Sequence, residues 1–237
     1  MNIAIILAGG VGSRVGRDIP KQFIKILDKP ILAYTIEVFQ NHQEIDLIEI
    51  VCIKSHINYV NQFANAYKYT KVKWIIPGGD TFQDSVIKGV DHLTGICNDD
   101  DILSIHFGAS PFVNADIISD SIKIAKEKGN AISTTPFYLL SGIKTSDTMS
   151  LEYLDRDTIA SMSSPHSFQY KVIHELYKKA REKNLLDKID HPHITSLMYE
   201  MGYPIYFSKG NQSNIKITTE EDLELFEGYA LLRDRKK

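Results

Sequence analysis

Two cationic side chains beside a glycine-rich turn are the residues of this chain best suited to chemistry on a phosphate group. Gly9, Gly10 and Gly12 lie within four residues of one another. Arg14 and Lys21 follow them. Glycines let backbone N–H groups approach an anion without a Cβ in the way, and the two cations add full positive charge. The segment therefore predicts a phosphate-binding loop.

Two commoner glycine loops do not fit this segment. A P-loop needs Gly-Lys-Ser or Gly-Lys-Thr after four intervening residues, and the sequence contains neither tripeptide. The dinucleotide fingerprint nearly fits at Gly10 and Gly12, but its third glycine is Gly16, one residue too late. A plain strand-to-helix turn with surface cations stays open as the alternative.

A buried strand before the loop and alternating elements after it must position these residues. The run from Ile3 to Ala8 is apolar and rich in β-branched residues, which is typical of a strand covered on both faces. Strand-like and helical runs then alternate, which predicts an α/β fold on a mostly parallel sheet. The further strands are expected at 47–53, 72–76, 102–106, 131–136 and 203–208, and the helices at 31–40, 56–67, 83–93, 115–128, 172–183 and 220–232. Between 136 and 162 the pattern weakens, which favours an excursion of short β-hairpins.

Composition and charge limit the class of protein. The chain has 237 residues, of which 43% are hydrophobic, and no linker divides it, so one domain over 1–237 is expected. A net charge of −3 gives no general basic surface for nucleic acid. The first strand is not a signal peptide, and no apolar run approaches the ~18 residues of a membrane span. Cys52 and Cys97 lack C-x-x-C spacing, so free thiols in a cytoplasmic protein without a membrane partner are expected.

A third cation stands near the C-terminus. Lys216 lies between Ile215 and Ile217 in a strand-like run, just before a helix that Thr218 or Thr219 starts. The alternation of a strand would turn the ammonium group away from the isoleucine side chains. An ordinary solvated lysine is the alternative.

Together, the two terminal motifs resemble one enzyme family. The first motif is L-A-G-G-x-G-x-R with Lys21, and the second is N-I-K-I-T-T-E-E-D-L over 214–223. Both are similar to the signatures of cytidylyltransferases that make CDP-methylerythritol, and of relatives that make CDP-ribitol. The resemblance covers the whole chain. It implies a three-layer α/β/α, Rossmann-like (GT-A-like) nucleotidyltransferase fold with a protruding β-arm. It also implies transfer of a cytidylyl group from CTP to a small phosphorylated acceptor, with Mg²⁺ held mainly by the nucleotide phosphates.

The resemblance also implies roles for individual residues. Arg14, Lys21 and Lys216 would contact the triphosphate and stabilise charge at the α-phosphorus. The implied nucleotide-binding residues are Leu7, Ala8, Gly9, Gly10, Gly12, Ser13, Gly79, Asp80, Ser85 and His106. Ser85 can instead be a helix-opening serine, and His106 can be a structural histidine. The base can be another pyrimidine, since one serine does not discriminate among them.

The acceptor side of the implied site involves a second subunit. Residues 136–162 resemble the β-arm of the family, which crosses between the two subunits of a homodimer. Arg156 and Ser164 match the arm arginine and the hydroxyl residue that hold the acceptor phosphate.

Several family positions have changed. The motif H-D-A-x-R-P is H-F-G-A-S-P here, so Phe107 and Ser110 replace an aspartate and an arginine. In the family motif T-P-Q, His166 stands in place of the glutamine. Phe82 replaces an arginine of the family's second glycine motif, and the acid that the family has near His191 and His193 is missing. No protein ligand for the metal is therefore expected, and the acceptor is expected to differ from methylerythritol phosphate. A non-catalytic nucleotide-binding scaffold and a methylerythritol phosphate enzyme stay open as alternatives.

Overall fold

The structure, a computed structural model, describes residues 1–10, 19–186, 188 and 193–235. Gly12, Ser13, Arg14 and His191 lie outside the described residues, so their predicted roles stay predictions.

A mixed sheet forms the centre of the fold. The strands are β1 (Asn2–Ala8), β2 (Lys25–Ile26), β3 (Lys29–Pro30), β4 (Leu47–Cys52), β5 (Val72–Pro77), β6 (Ile102–Phe107), β7 (Asn130–Pro136), β8 (Gly142–Ser146), β9 (Met149–Tyr153), β10 (Ala160–Gln169) and β11 (Phe207–Lys209). Within the described ranges, seven of them form one sheet in the order β11-β7-β10-β6-β1-β4-β5. Only β10 runs antiparallel to its neighbours there, so the predicted mostly parallel sheet is confirmed.

Helices cover both faces of this sheet. They are α1 (Ile31–Gln40), α2 (Ile57–Ala66), α3 (Phe82–His92), α4 (Ala115–Lys128), α5 (Tyr170–Glu182), α6 (Ile194–Glu200) and α7 (Glu220–Asp234). Ala4 and Ile6 of β1 pack in one core cluster with α1, α2 and α4. Ile3 and Ile5 point to the other face and pack with α3, α5 and α6. This alternation builds the three α/β/α layers that were predicted.

Besides the two-residue strands β2 and β3, which were not predicted, three longer segments differ from the sequence prediction. No strand was predicted at β10, because its serines and Pro165 hide the apolar pattern; Ser167 is buried there and bonds to Ser104 Oγ and Ser121 Oγ at 2.8 Å each. Helix α6 was also missed. The run around Lys216 is not a strand: the Ile217 N–H donates to the Ala109 carbonyl at 2.8 Å, while Ile217 itself is buried.

The segment between β7 and β10 projects from the central sheet. Strands β8 and β9 pair only with each other among the described strands, and both are exposed along their whole length. Leu140, Leu151 and Tyr153 are 93%, 74% and 81% exposed. The assignment of 136–162 as a dimerisation arm of a single domain stays a prediction. No helix among the described residues is long and apolar enough to cross a membrane.

Candidate active site

The first glycines of the loop lie at the end of β1, where Gln22 holds them. The Gln22 side chain is buried, and its Nε2 donates to the carbonyls of Ala8 at 2.9 Å and Gly10 at 2.8 Å. Gln22 belongs to a short 3-10 helix that begins at Lys21, which is itself largely buried. The two hydrogen bonds therefore fix the backbone of Lys21 beside the glycine loop.

A second glycine turn, between β5 and α3, packs against the first. A Cβ at Gly9 would lie 3.0 Å from Ser85 Oγ, and one at Gly78 would lie 2.9 Å from the same atom. The Gly79 N–H donates to Ser85 Oγ at 3.1 Å, and Ser85 Oγ donates to the Thr81 carbonyl at 3.1 Å. A Cβ at either glycine would crowd this hydroxyl, which would have to shift to make room. Ser85 thus joins the two turns, and its predicted contact with the base stays a prediction.

The remaining members of the predicted nucleotide site lie around these turns. Leu7 and Ala8 are buried at the end of β1, Gly10 is exposed, and Asp80 is exposed just before the N-cap of α3. Thr81 and Asp84 form a capping box that fixes the start of that helix. The structure therefore brings Gly9, Gly10 and Gly79 to one edge of the sheet.

His106 lies inside the core. It is fully buried, its ring centroid is 5.0 Å from that of Phe39, and its Nε2 contacts the Ser110 carbonyl at 2.9 Å. Burial lowers the pKa of this imidazole to about 4, so the ring is neutral and donates through Nε2. This placement favours the structural alternative for His106 over a contact with the nucleotide.

A pocket of about 360 Å³ opens beyond the end of β6. Hydroxyl, amide and imidazole side chains dominate it, and the described residues that line it include no carboxylate. The lining consists of Phe107, Ser110, Thr135, Ser161, Met162, Ser163, Ser164, His166, His193, Asn211, Gln212, Asn214, Ile215 and Lys216. Lys216 and Ser164, which the sequence analysis assigned to separate motifs, lie in this one pocket.

Asn214 connects the segments that carry Lys216 and Ser164. Its side chain is buried, and Nδ2 donates to the Ser164 carbonyl at 2.6 Å and to Ser163 Oγ at 3.3 Å. Sequence reasoning gave Asn214 no role of its own, although it opens the motif that contains Lys216. The hydrogen bonds place Lys216 next to strand β10.

Four of the substituted family positions converge on one cluster of rings, the aromatic wall: Phe107, His166 and His193 line this pocket, and Phe82 packs against Phe107 and His193. The rings of Phe82 and His193 stack with centroids 4.9 Å apart, and Phe107 lies 5.5 Å from Phe82. His166 and His193 are 5.2 Å apart. Lys216 Nζ lies 4.0 Å from the centroid of Phe107.

Both histidines of the wall are neutral at pH 7. Burial, and then the positive charge of Lys216, lowers the pKa of His193 to about 4. Burial and the neighbouring His193 hold the pKa of His166 well below its ordinary value. A neutral imidazole can donate one hydrogen bond and accept another. Nδ1 of His193 already accepts from the Thr195 N–H as the N-cap of α6, so Nε2 is its remaining group for an acceptor that carries hydroxyl groups.

Arg156 and Ser164 line different pockets. It is exposed on a short 3-10 helix of the projecting segment, where its Nη1 donates to the Tyr138 carbonyl at 3.4 Å. It lines a second pocket of about 760 Å³ that β8 and β9 form. The resemblance brings the arm arginine to the site of the neighbouring subunit, so the acceptor role of Arg156 stays a prediction.

The described residues do not group into a magnesium site of their own. Magnesium prefers carboxylate oxygens, and the described lining of the pocket beside Lys216 offers none. Among the described residues, no group of three or more His, Cys, Asp or Glu side chains is placed to hold a metal ion.

Comparison with solved structures defines the class of the fold. The 4-diphosphocytidyl-2C-methyl-D-erythritol synthase of Anaerococcus prevotii aligns with a TM-score of 0.79 at 21% identity, covering 97% of this chain and 98% of that one. The 2-C-methyl-D-erythritol 4-phosphate cytidylyltransferase of Francisella tularensis aligns with a TM-score of 0.74 at 25% identity, covering 95% and 97%. The fold is therefore the nucleotidyltransferase fold that was predicted.

Sequence comparison then gives the family. The family described as "IspD: 2-C-methyl-D-erythritol 4-phosphate cytidylyltransferase" matches residues 2–232, and the chain belongs to it. A ribitol-5-phosphate cytidylyltransferase of Lacticaseibacillus paracasei is 38% identical over 229 residues, covering 97% of each chain. A 2-C-methyl-D-erythritol 4-phosphate cytidylyltransferase of Clostridium tetani is also 38% identical, over 231 residues and with 96% and 89% coverage. The predicted cytidylyltransferase class is confirmed.

Proposed function

We propose that this protein transfers the cytidylyl group of CTP to ribitol 5-phosphate or a closely similar polyol phosphate. The observation that carries the proposal is the pocket in which Lys216 and Ser164 meet hydroxyl, amide and neutral imidazole groups without a carboxylate. Such a lining can hydrogen-bond the hydroxyls of a polyol while the ammonium group attracts its phosphate. The 38% identical ribitol-5-phosphate cytidylyltransferase supports the same acceptor.

The reaction joins two anions and needs positioning more than covalent help. An oxygen of the acceptor phosphate attacks the α-phosphorus of CTP, the bond from that phosphorus to the bridging oxygen breaks, and pyrophosphate leaves with the electron pair. The acceptor phosphate is already ionised, so no general base is required. Lys21 and Lys216, with Arg14 of the glycine loop, would neutralise the charge that develops on the phosphate oxygens.

Magnesium is proposed to enter with the nucleotide. Phosphate oxygens and water can supply its ligands, as they do wherever Mg²⁺ binds through a substrate. This fits a pocket whose described lining contains no acid.

We propose a homodimer as the functional unit. The exposed apolar side chains Leu140, Leu151 and Tyr153 give the projecting arm a surface that a second copy can cover. Such a dimer would bring Arg156 of one subunit to the Ser164 pocket of the other. A cytoplasmic location, and use of the CDP-polyol as a precursor of surface polysaccharide, belong to the same proposal.

Methylerythritol phosphate is the second candidate acceptor, because a relative named for that activity shares the same 38% identity with this chain. Pyrophosphate release, measured with CTP, UTP and dTTP against ribitol 5-phosphate, methylerythritol phosphate and glycerol phosphate, decides between them. Highest turnover with CTP and ribitol 5-phosphate is expected. CTP binding without pyrophosphate release from any pair would favour the non-catalytic scaffold.

A further inference from the structure

We propose that the hydroxyl groups of Thr135 and Ser161 bind the far end of the acceptor's carbon chain and thereby select a five-carbon polyol phosphate over a shorter one. The two residues lie directly opposite each other on the antiparallel strands β7 and β10, and both line the pocket that contains Lys216. Residues paired in this way point to the same face of a sheet, with Cβ atoms about 5 Å apart. The inference rests on the proposed function, and it adds the residues that distinguish one phosphorylated acceptor from another.

The order of the strands places this pair at the end of the pocket remote from the glycine loop. The sheet runs from β1, which carries the loop, through β6 and β10 to β7. Lys216 Nζ lies 4.0 Å from the centroid of the Phe107 ring, at the end of β6. Neighbouring strands are about 4.8 Å apart, so β7 lies about 10 Å from β6 across the sheet. An acceptor whose phosphate lies beside Lys216 can therefore place its last hydroxyls beside Thr135 and Ser161.

The hydroxyls of Thr135 and Ser161 are available to a ligand, whereas those of their neighbours on the same strands are engaged within the protein. Ser133, two residues before Thr135, donates through Oγ to a backbone carbonyl of β11 at 3.1 Å. Ser163, two residues after Ser161, accepts a 3.3 Å hydrogen bond from Asn214 Nδ2 through its Oγ. In the described part of the chain, no hydrogen bond engages the side chain of Thr135 or Ser161. Each hydroxyl can therefore donate to one polyol oxygen and accept from another.

The other groups at this end of the pocket are amides, which also suit a hydroxylated chain. Asn211 and Gln212 belong to the loop that follows β11, and both line the pocket. Gly210 brings that loop against β7, because a Cβ there would lie only 2.7 Å from the Thr134 carbonyl oxygen. Amides and hydroxyls supply donors and acceptors without a charge, so they favour the alcohol groups of a polyol. An acceptor too short to reach them loses these hydrogen bonds.

Removal of each hydroxyl with little change in shape tests the proposal. Thr135→Val keeps a β-branched side chain, and Ser161→Ala removes only the oxygen. Pyrophosphate release at saturating CTP gives kcat/KM for ribitol 5-phosphate and for glycerol 3-phosphate. Each variant should lower the ratio of the first value to the second about 3- to 10-fold, the contribution of one neutral hydrogen bond. The loss with ribitol 5-phosphate should appear in KM more than in kcat, since the far end of the chain is bound alike in the ground state and the transition state.

Two further variants serve as controls. Thr135→Ser keeps the hydroxyl and should keep the wild-type ratio. Thr70→Val removes an exposed hydroxyl just before β5, at the opposite edge of the sheet from the pocket, and should keep it too. An unchanged ratio in both Thr135→Val and Ser161→Ala, or an equal loss with the two acceptors, would overturn the proposal. An equal loss together with a lower mass in light scattering would assign the pair to contacts between subunits instead.

The proposed function can fail separately from this inference. If neither acceptor supports pyrophosphate release in the wild type, calorimetry in the presence of an α,β-methylene analogue of CTP measures the affinity for each acceptor. Thr135→Val should then weaken the binding of ribitol 5-phosphate about 3- to 10-fold and leave that of glycerol 3-phosphate unchanged. Equal affinities of the wild type and Thr135→Val for ribitol 5-phosphate, or no binding of it to the wild type, would overturn the assignment of this pair.

Discussion

The Asn214 side chain donates a 2.6 Å hydrogen bond to the carbonyl of Ser164, joining the segment that carries Lys216 to the strand that carries the acceptor-side hydroxyl. This bond is buried and spans fifty positions of the sequence. The Asn214 amide therefore helps to set the spacing between the two halves of the pocket.

Removal of that amide should loosen the site. In Asn214→Ala the buried Ser164 carbonyl loses its donor, which costs about 1–3 kcal/mol of stability. We also expect a lower kcat/KM, because Lys216 is no longer held against β10. Urea unfolding and pyrophosphate release measure the two effects. Gln62→Ala, which removes an exposed amide on helix α2 away from this pocket, is the control and should change neither.

The proposed phosphate clamp predicts large losses of rate from single lysines. Lys21→Ala and Lys216→Ala should each reduce kcat by about 10²-fold or more, because each removes a preorganised positive charge from the transition state. Circular dichroism should show an intact fold in both. Lys25→Ala, which removes an exposed lysine from the nearby strand β2, should retain wild-type kcat. Wild-type rates in both clamp variants would refute the assignment.

Much of the fold can be predicted from local sequence patterns, whereas the arrangement of the candidate site cannot. Helices α1 and α4 begin and end at the residues predicted from their apolar patterns, 31–40 and 115–128. Strand β10 escaped prediction because the hydrogen bonds that satisfy its buried Ser167 come from a neighbouring strand and from helix α4. The convergence of Phe107 with His193 and Phe82 likewise depends on tertiary packing, because these residues lie on different elements.

A buried carboxyl group predicts how stability depends on pH. Glu49 on β4 is fully buried, and its Oε2 lies 2.5 Å from Nδ1 of His92. Burial raises the pKa of Glu49 from 4.5 to about 8, so the native state binds the proton more tightly than the unfolded state. Its contribution to stability is complete below about pH 4.5 and is lost as the pH rises through 8.

The free energy of unfolding should therefore fall between these pH values, with a slope approaching about 1.4 kcal/mol per pH unit. Glu49→Gln keeps a hydrogen-bonding group beside His92 but cannot ionise, so its unfolding free energy should vary less with pH. Glu44→Gln alters an exposed carboxylate close by in the sequence and should keep the wild-type slope. Denaturant titrations from pH 5 to 9 give the slopes, and equal slopes in wild type and Glu49→Gln would contradict the assignment.

The exposed arm predicts an assembly that a single charge can disrupt. Leu140→Glu or Tyr153→Glu should convert the proposed homodimer to a monomer, because burying an unpaired carboxylate in an apolar interface is costly. Light scattering at micromolar concentration reports the mass. Thr148→Glu, at the turn between β8 and β9, adds the same charge and should stay dimeric. A monomeric wild type would show that the arm has another role.

The last prediction concerns the acceptor. Ribitol 5-phosphate should give a higher kcat/KM than methylerythritol phosphate, because Phe107 and Ser110 remove the acid and the arginine expected in the family, and neutral His166 and His193 add hydrogen-bonding groups. Buried polar groups discriminate strongly between substrates, since a hydroxyl without a partner is costly. Ser164→Ala should weaken both acceptors alike through their shared phosphate, whereas His166→Phe should reduce the ratio between them. A higher kcat/KM for methylerythritol phosphate in the wild-type enzyme would show that the aromatic wall does not select the polyol.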